Sequence, residues 1–268
     1  MDEMDRKELH SGMTPDNLAR LARMCLMDDR FMSEVLDGKT DAVQVILDTV
    51  LERSDLKVIA VKSQYQYNSA VSREIRLDIR AEDASGRLAD IEIQRADDAA
   101  LLLRARYYAA VMDSRLLQKG ADFGALGERF VIFITETDPL GKGVPLYHIH
   151  NTIDELNGAD AADGGLTVLV NGAFRDAEHP VGRLMHDFFC TEADDMLIPV
   201  LAREVRYMKE TERGQAYMCD ILEEMVQEKV YEIMDIMIEE GILSDAAIAK
   251  YTRTTPEQVA ARRSGQSA

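Results

Sequence analysis

Three polar residues are the strongest candidates for chemistry in this sequence: Asp78, Glu92 and Gln94. Polar and apolar residues alternate around them, from residue 75 to 80 and again from 90 to 94. This alternation predicts two half-buried strands, each with one apolar and one polar face. Two carboxylates and one amide are therefore expected to project from the polar faces of neighbouring strands.

The connection Asp83-Ala-Ser-Gly-Arg87 sets how the two strands pair. It fits a three-residue hairpin loop in which Gly86 takes the left-handed conformation that glycine adopts at little cost. If Asp83 faces Arg87, then Asp78 faces Glu92. The same register predicts two further cross-strand pairs: Arg80 with Asp90, and Arg76 with Gln94.

Two carboxylates placed side by side repel each other unless a positive charge lies between them. A divalent cation would provide that charge, since Mg²⁺ binds carboxylate oxygens and fills its other positions with water and phosphate oxygens. Gln94, on the same face, could then orient a water molecule. The alternative is that Arg76 and Arg80 neutralise the acids in an ordinary solvated strand face.

Further motifs follow these residues in a recognisable order. The chain carries Asp78, a Gly-containing turn, Ile91-Glu-Ile-Gln94, Arg104-Ala-Arg-Tyr-Tyr108 and Gly120-Ala-Asp-Phe123, after an upstream Asp29-Arg-Phe-Met-Ser-Glu-Val35. In this combination the sequence resembles the recombination-promoting nuclease and transposase family of the PD-(D/E)XK superfamily. The resemblance covers roughly residues 25 to 240.

The resemblance implies a restriction-endonuclease-like α/β fold and a DNA endonuclease that uses a divalent metal. Mg²⁺ is the expected ion, with Mn²⁺ and Ca²⁺ as alternatives. Asp78 and Glu92 would be the metal ligands, and Glu34 would be the helical acid that completes the site. Gln94 takes the position of the superfamily's lysine, but a neutral amide supplies no positive charge to the transition state.

Arg104 begins a candidate substrate-binding face on the helix predicted from Leu101 to Gln118. Tyr107 and Tyr108 follow at helical spacings of three and four residues, so they share that face. In the family interpretation Arg104 contacts a backbone phosphate or anchors Glu92. The alternative interpretation packs the tyrosines against the sheet and leaves Arg104 in a surface ion pair.

The net charge of −18 argues against strong DNA binding, because affinity for a polyanion depends on Lys and Arg. Between Arg73 and Lys119, however, nine basic and nine acidic residues balance, so the acidic surplus lies elsewhere in the chain. Weak, salt-sensitive binding is expected. Gln94 and the acidity together favour the competing hypothesis, an interaction protein that keeps the nuclease fold with little or no catalysis.

The remaining pattern predicts a mixed sheet flanked by helices. Residues 18–51 read as helical with a break near Gly38, and residues 56–67 as the first strand. The continuous apolar run from Arg129 to Thr135 is typical of a central buried strand. Two further strands are predicted at 145–150 and 166–170, with a surface loop over 155–165 between them.

Beyond Asp194 the chain is predicted to be helical, with an apolar stripe rich in methionine and an acidic opposite face. Gly241 is expected to end this helix, and Ser244 and Thr255 to cap two short helices. This gives domains at 1–192, 193–242 and 243–268. The long helix could pack on the core or form a homodimer, and the final pair could read DNA or serve as a packing appendage.

Several other classes of site find little support in the sequence. His148 and His150 lack a third metal ligand at a recognisable spacing, and no phosphate-binding glycine loop, nucleophile elbow or His-Glu-x-x-His is present. Three separated cysteines and the lack of an apolar leader or long apolar segment predict a cytoplasmic protein that does not enter membranes.

Overall fold

The computed structural model describes residues 13–67, 75–95, 99–117 and 120–265. Some residues used in the sequence predictions lie outside these ranges, as do the first twelve and last three residues of the predicted domains. They are Arg73, Glu74, Asp97, Asp98, Gln118 and Lys119.

A mixed six-stranded sheet forms the centre of the fold, in the order β1-β2-β3-β4-β8-β5. Its strands are β1 (Val58–Tyr67), β2 (Ile75–Asp83), β3 (Leu88–Gln94), β4 (Arg129–Thr135), β5 (Leu146–Ile149) and β8 (Gly165–Val170). The first three strands pair antiparallel, β3, β4 and β8 run parallel, and β5 is antiparallel to β8. The expected fold class is thereby confirmed, with β4 as the predicted central strand.

A two-stranded ribbon lies in the segment predicted to be a surface loop. Its strands are β6 (Thr152–Ile153) and β7 (Ala159–Asp160), which pair antiparallel. All four residues are exposed, so the segment lies at the surface as expected although it is not wholly a loop. Alternation over only two residues is too short a signal to predict a strand.

The helices are α1 (Pro15–Arg23), α2 (Asp29–Leu36), α3 (Thr40–Leu51), α4 (Leu101–Leu116), α5 (Pro180–Phe189), α6 (Pro199–Glu210), α7 (Glu212–Glu240), α8 (Asp245–Thr252) and α9 (Pro256–Arg263). Gly38, at φ +71°, separates α2 from α3, as predicted. A second break, between α1 and α2, was not predicted. There the Asp28 carboxylate accepts the Cys25 N–H at 2.9 Å, which stabilises a turn instead of a continuous helix.

The hairpin joining β2 and β3 has the predicted loop and register. Gly86 has φ +79°, and its N–H donates to the Asp83 carbonyl at 3.0 Å. Across the loop, the N–H of Asp83 donates to the carbonyl of Arg87. The ladder then pairs Arg80 with Asp90, as expected, and ends at Ile79 with Ile91. The predicted pairs of Asp78 with Glu92 and of Arg76 with Gln94 are not part of it. The strand ends that carry Asp78, Glu92 and Gln94 lie beyond this last pair.

Helix α4 covers the sheet beside these strand ends. One buried cluster joins its inner face to strands β2, β3, β4 and β8, and comprises Ile75, Leu77, Leu88, Leu101, Ala105, Ala109, Met112, Val131, Phe133 and Leu169. This packing fixes α4 against the carboxylate-bearing strands. Helices α2 and α3 lie against β1, and α5 packs on α3.

The chain divides into two compact units, residues 22–207 and residues 1–21 with 208–268. The sheet lies in the first unit. In the second, α8 and α9 pack on α7 around Met234, Ile248, Ala249 and Val259. The predicted domain boundaries at 192 and 242 stay a prediction.

The predicted helix ends near the C-terminus are confirmed. Gly241 closes α7 at φ +68°, and the Ser244 hydroxyl caps α8. Thr255 and Gln258 form a full capping box at the start of α9. Among the described residues, no helix is both long and apolar enough to cross a bilayer.

Candidate active site

The carboxylates of Asp78 and Glu92 lie together where β2 and β3 separate. The backbone N–H of Asp78 donates to Glu92 Oε1 at 2.9 Å, and the N–H of Ile93 donates to Asp78 Oδ2 at 3.1 Å. Side chains thus take over the cross-strand hydrogen bonds beyond the last backbone pair. Both acids are buried, with exposed fractions of 8% for Asp78 and 3% for Glu92. The predicted side-by-side placement is therefore present, through these bonds and not through a paired ladder position.

A cavity of about 640 Å³ opens in front of these carboxylates. Its acidic lining consists of Asp29, Asp78 and Glu92, and its basic lining of Arg76 and Arg104. Tyr107 and Tyr108, one turn further along α4 than Arg104, complete the polar part of the wall. Acids, guanidinium groups and phenols thus meet around one water-accessible volume.

Asp29 is the helical acid that lines this cavity, whereas the family resemblance implied Glu34. Asp29 lines the cavity, whereas Glu34 forms an ion pair with Arg30 at 3.1 Å one turn away on the same helix. Five residues along a helix correspond to a rotation of about 140°, so Asp29 and Glu34 face different directions. The first-turn position of Asp29 on α2 directs it towards Asp78.

Gln64 orients the Asp29 carboxylate. Its Nε2 donates to Asp29 Oδ1 at 3.2 Å and to Ser33 Oγ at 2.6 Å. Gln64 has φ +48°, a left-handed conformation that is uncommon for a residue with a side chain and costs about 1–3 kcal/mol. The neighbouring strand pairs place it opposite Asp78 in the β1–β2 register. The strained backbone therefore lies directly beside the acids.

Burial strongly changes the acidity of the two central carboxylates. Loss of hydration, followed by the charge of Asp29, raises the pKa of Asp78 to about 7. Loss of hydration and the charge of Asp78 raise the pKa of Glu92 to about 8, with the positive charge of Arg104 acting in the opposite direction. The surrounding guanidinium groups therefore do not fully balance the burial of these two acids.

Asp90 extends this group of acids into the protein interior. It is completely buried, and neither of its carboxyl oxygens accepts a hydrogen bond from a donor in the described part of the chain. Burial, with the charges of Glu92 and Asp78, raises its pKa well above the usual range. Burial therefore favours the neutral form of the Asp90 carboxyl group.

The donor set suits a divalent cation of the Mg²⁺ type. Asp78 and Glu92 supply hard carboxylate oxygens, and their raised pKa values indicate that additional positive charge would be stabilising there. Within the described residues, no group of three or more His, Cys, Asp or Glu side chains has the arrangement of a complete metal site. Mg²⁺ commonly uses only one or two carboxylates, with water and phosphate oxygens in its other positions.

Gln94 is engaged by Arg104. Nη1 of Arg104 donates to Gln94 Oε1 at 2.5 Å, and Nη2 lies 3.8 Å from Glu92 Oε2. Gln94 lines a second cavity of about 500 Å³ next to the first, together with Thr135 and Leu101. Gln94 follows Glu92 by two residues on β3, but it lines the second cavity and not the first, and the Arg104 contact occupies its carbonyl oxygen.

Comparison with known proteins finds one family model that matches the segment containing most of these residues. Residues 33–156 match the family model described as PD-(D/E)XK nuclease family transposase. The match includes Asp78, Glu92, Gln94 and Arg104, and begins four residues after Asp29. It is shorter than the range of resemblance expected from the sequence. No curated protein and no solved structure matches the chain.

Within the matched segment, both interpretations of the helix α4 side chains hold in part. Tyr107 and Tyr108 pack against the buried cluster, as the alternative interpretation predicted, yet they also line the cavity. Arg104 faces Glu92 and Gln94 at the cavity and not an acid on the outer surface. Arg80 pairs with Glu82 at 2.9 Å and stacks on Tyr65. The charge of Arg76, however, opposes the rise that burial causes in the pKa of Asp78, so the alternative of neutralisation by arginine holds in part.

Two other groups of candidate residues, the strand histidines and the C-terminal arginines, do not line this cavity. His148 and His150 are both exposed. In the C-terminal helices, Arg262 forms two hydrogen bonds to Asp235, at 2.8 and 2.7 Å, and Arg263 pairs with Asp245 at 2.8 Å. These contacts favour a packing role for the two helices over phosphate binding.

Proposed function

We propose that this protein is a divalent-metal-dependent DNA endonuclease that hydrolyses phosphodiester bonds in a recombination or transposase-like process. The observation that carries the proposal is the cavity that Asp78 and Glu92 line, within the segment matching the nuclease-family transposases. An acidic cavity alone would not attract DNA, so a bound cation is part of the proposal.

Asp78 and Glu92 would hold the cation, with Asp29 close enough to bind it through water. When bound, the cation would supply Lewis-acid activation of a water molecule and would neutralise charge on a phosphate oxygen. The residues around it restrict the geometry. Backbone N–H groups fix one oxygen of each ligand carboxylate, and Gln64 orients Asp29.

In the proposed reaction, a water oxygen forms a bond to phosphorus while the bond from phosphorus to the leaving oxygen breaks. The water loses a proton to solvent and the leaving oxygen gains one. Arg104 and Arg76, on the cavity wall, would contact the phosphate and direct the strand towards the carboxylates. Because the whole chain carries a charge of −18, we expect DNA affinity to be weak and to fall steeply with salt.

The test is plasmid nicking by the wild-type protein in Mg²⁺, Mn²⁺ or Ca²⁺, compared with Asp78→Asn and Glu92→Gln. These substitutions keep an oxygen that can accept the cross-strand N–H, so the strands should remain joined. Both variants should lose nicking. Glu82→Gln, on the same hairpin but outside the cavity lining, is the matched control and should cut as well as wild type.

An interaction protein that retains this fold without catalysis is the second candidate. The observation in its favour is that Arg104 occupies the carbonyl of Gln94, which is itself a neutral replacement for lysine. Such a protein could associate through α7, where Val226, Ile233 and Ile236 are exposed at spacings of seven and three residues. Calorimetric titration with Mg²⁺, Mn²⁺ and Ca²⁺ separates the candidates, because absence of binding would favour this second one.

The three cysteines of the chain are free thiols, which suits the cytoplasmic location that we propose for either candidate.

A further inference from the structure

Hydrolysis of a phosphodiester concentrates negative charge at the reacting phosphate, and Gln94 cannot balance that charge. An amide offers hydrogen bonds only, whereas a lysine at the same position would add a full positive charge. Any positive charge that the protein adds to that of the bound cation must therefore come from another side chain near the Glu92 end of the cavity. Among the described residues that line this cavity, the cationic side chains are Arg76 and Arg104.

Arg104 is held at this end by contacts on several sides. Nη1 donates to Gln94 Oε1 at 2.5 Å, and Nη2 lies 3.8 Å from Glu92 Oε2. The guanidinium carbon lies 5.3 Å from the centre of the Phe133 ring and 5.8 Å from that of Tyr108. These rings belong to the sheet and to α4 itself, so the cation is supported by rigid elements.

Arg76 is less suited to this role. Arg76 lines the cavity but is exposed to solvent, whereas the side chain of Arg104 is about two-thirds buried. The guanidinium of Arg104 reaches the buried acids directly, since its Nη2 lies 3.8 Å from Glu92 Oε2. A charge that is partly withdrawn from water stabilises a neighbouring anion more strongly than an exposed one does.

We propose that Arg104 supplies the catalytic positive charge that Gln94 lacks, and that Gln94 acts as a positioning residue whose carbonyl fixes the Arg104 guanidinium. This inference rests on the proposed nuclease function. It changes the part expected of Gln94, from orienting water to orienting Arg104. The lysine function is thereby divided between a strand residue and a helix residue that are hydrogen-bonded to each other.

The experiment compares wild type, Arg104→Gln, Arg104→Lys and the double variant Gln94→Lys with Arg104→Gln. Single-turnover cleavage should fall about 10²- to 10³-fold in Arg104→Gln, the usual effect of removing one group that stabilises a transition-state charge. Arg104→Lys keeps the charge without the two-pronged geometry and should fall less. The double variant restores a cation next to Glu92, so it should recover at least tenfold over Arg104→Gln.

Calorimetric titration with Ca²⁺ alone provides a readout that does not depend on cleavage. Removing a cation beside Glu92 should leave Ca²⁺ affinity unchanged or make it several-fold tighter, because less positive charge competes with the ion. If Arg104 only held Glu92 in place, its loss would weaken Ca²⁺ binding, and the double variant would not recover cleavage. Either result would overturn the assignment.

Arg106→Gln is the matched control, since Arg106 is exposed on the same helix and does not line the cavity. It should leave both cleavage and Ca²⁺ binding as in wild type. Wild type that cleaves, together with an equally active Arg104→Gln, would refute this inference and leave the proposed function intact. Wild type that cleaves with none of the three metals would refute the proposed function, and this inference with it.

Discussion

The backbone N–H of Asp78 donates to Glu92 Oε1 at 2.9 Å, so one of the two candidate metal ligands is bonded to the main chain of the other. The reverse contact runs from the N–H of Ile93 to Asp78 Oδ2 at 3.1 Å. Each carboxylate is thus immobilised by the strand opposite its own. Ligands fixed in this way need little reorganisation to receive an ion.

The buried acids should make the metal-free protein less stable as pH rises. The pKa of Asp78 is raised to about 7 and that of Glu92 to about 8, whereas both groups titrate near 4 in an unfolded chain. Between about pH 4 and pH 8 the unfolded state therefore binds fewer protons than the folded state, and the free energy of unfolding decreases. Urea unfolding at pH 5 and pH 8 should reveal a loss on the order of a few kcal/mol. A profile that is flat or rises over this interval would contradict the assignment.

Asp78→Asn should stabilise the metal-free protein at pH 8 while removing its response to metal. The amide carries no charge to desolvate and can still accept the Ile93 N–H, so we expect a gain on the order of 2 kcal/mol at pH 8. The gain should disappear at pH 5, where the wild-type carboxyl is protonated. Thermal unfolding with and without 5–10 mM Mg²⁺, a concentration of the order needed for weak sites, measures both effects. Equal stability of the two proteins at pH 8 would count against a buried charge at Asp78.

Asp29→Asn should weaken divalent binding much more than Glu34→Gln does. Asp29 lines the cavity next to Asp78, whereas Glu34 pairs with Arg30 on another side of α2. We expect roughly a tenfold loss of Mg²⁺ affinity for the first variant, typical of groups around a metal site, and little change for the second. Calorimetry on the two variants decides between the two acids. The reverse order of effects would restore Glu34 as the helical ligand.

Asp83→Ala should destabilise the hairpin that sets the register of the site. The Asp83 carboxylate accepts the N–H groups of Ser85 and Arg87 at 2.8 and 2.9 Å, and Arg87 Nε at 2.7 Å. Because Asp83 is only 3% exposed, its removal should cost about 2–4 kcal/mol in urea unfolding. Ser85→Ala, in the same turn, should cost less than about 0.5 kcal/mol. Similar losses in both variants would show that the turn does not depend on the carboxylate.

Arg262→Ala should loosen the C-terminal helices without reducing DNA affinity. Arg262 is held by two hydrogen bonds to Asp235 and stacks on Tyr231, with the guanidinium carbon 4.9 Å from the ring centre. We expect a small loss of stability and an unchanged salt dependence of DNA binding. A lower salt slope would instead identify Arg262 as a phosphate contact.

The central part of the fold was predictable because its signals are local. The Gly86 turn defines the β2–β3 register, and the apolar run at Arg129–Thr135 predicts the buried middle strand. Asp29 and Gln64 were not predicted as site residues, because their proximity to Asp78 depends on how α2 packs against β1. The conformation of Gln64, at φ +48°, has no sequence signature of the kind that glycine provides.

The contact between Arg104 and Gln94 was also beyond sequence reasoning. The two residues are ten positions apart, on a helix and a strand whose separation is set by the packing of Leu101, Ala105 and Phe133. Helical spacing correctly grouped Arg104 with the tyrosines, but it could not reveal which atom the guanidinium reaches. Tertiary packing determines that distance.

The crossed bonds between Asp78 and Glu92 also affect how variation at these positions should be judged. Each acid accepts a hydrogen bond that joins β2 to β3, in addition to lining the cavity. A homologue that no longer cleaved DNA would therefore still lose stability if either acid were replaced by an apolar residue. Persistence of both acids in another lineage would therefore not prove that it cuts DNA. Asparagine at position 78 and glutamine at position 92 would keep the cross-strand hydrogen bonds but remove the negative charge. Such a pair of replacements would therefore indicate a lineage that has lost catalysis.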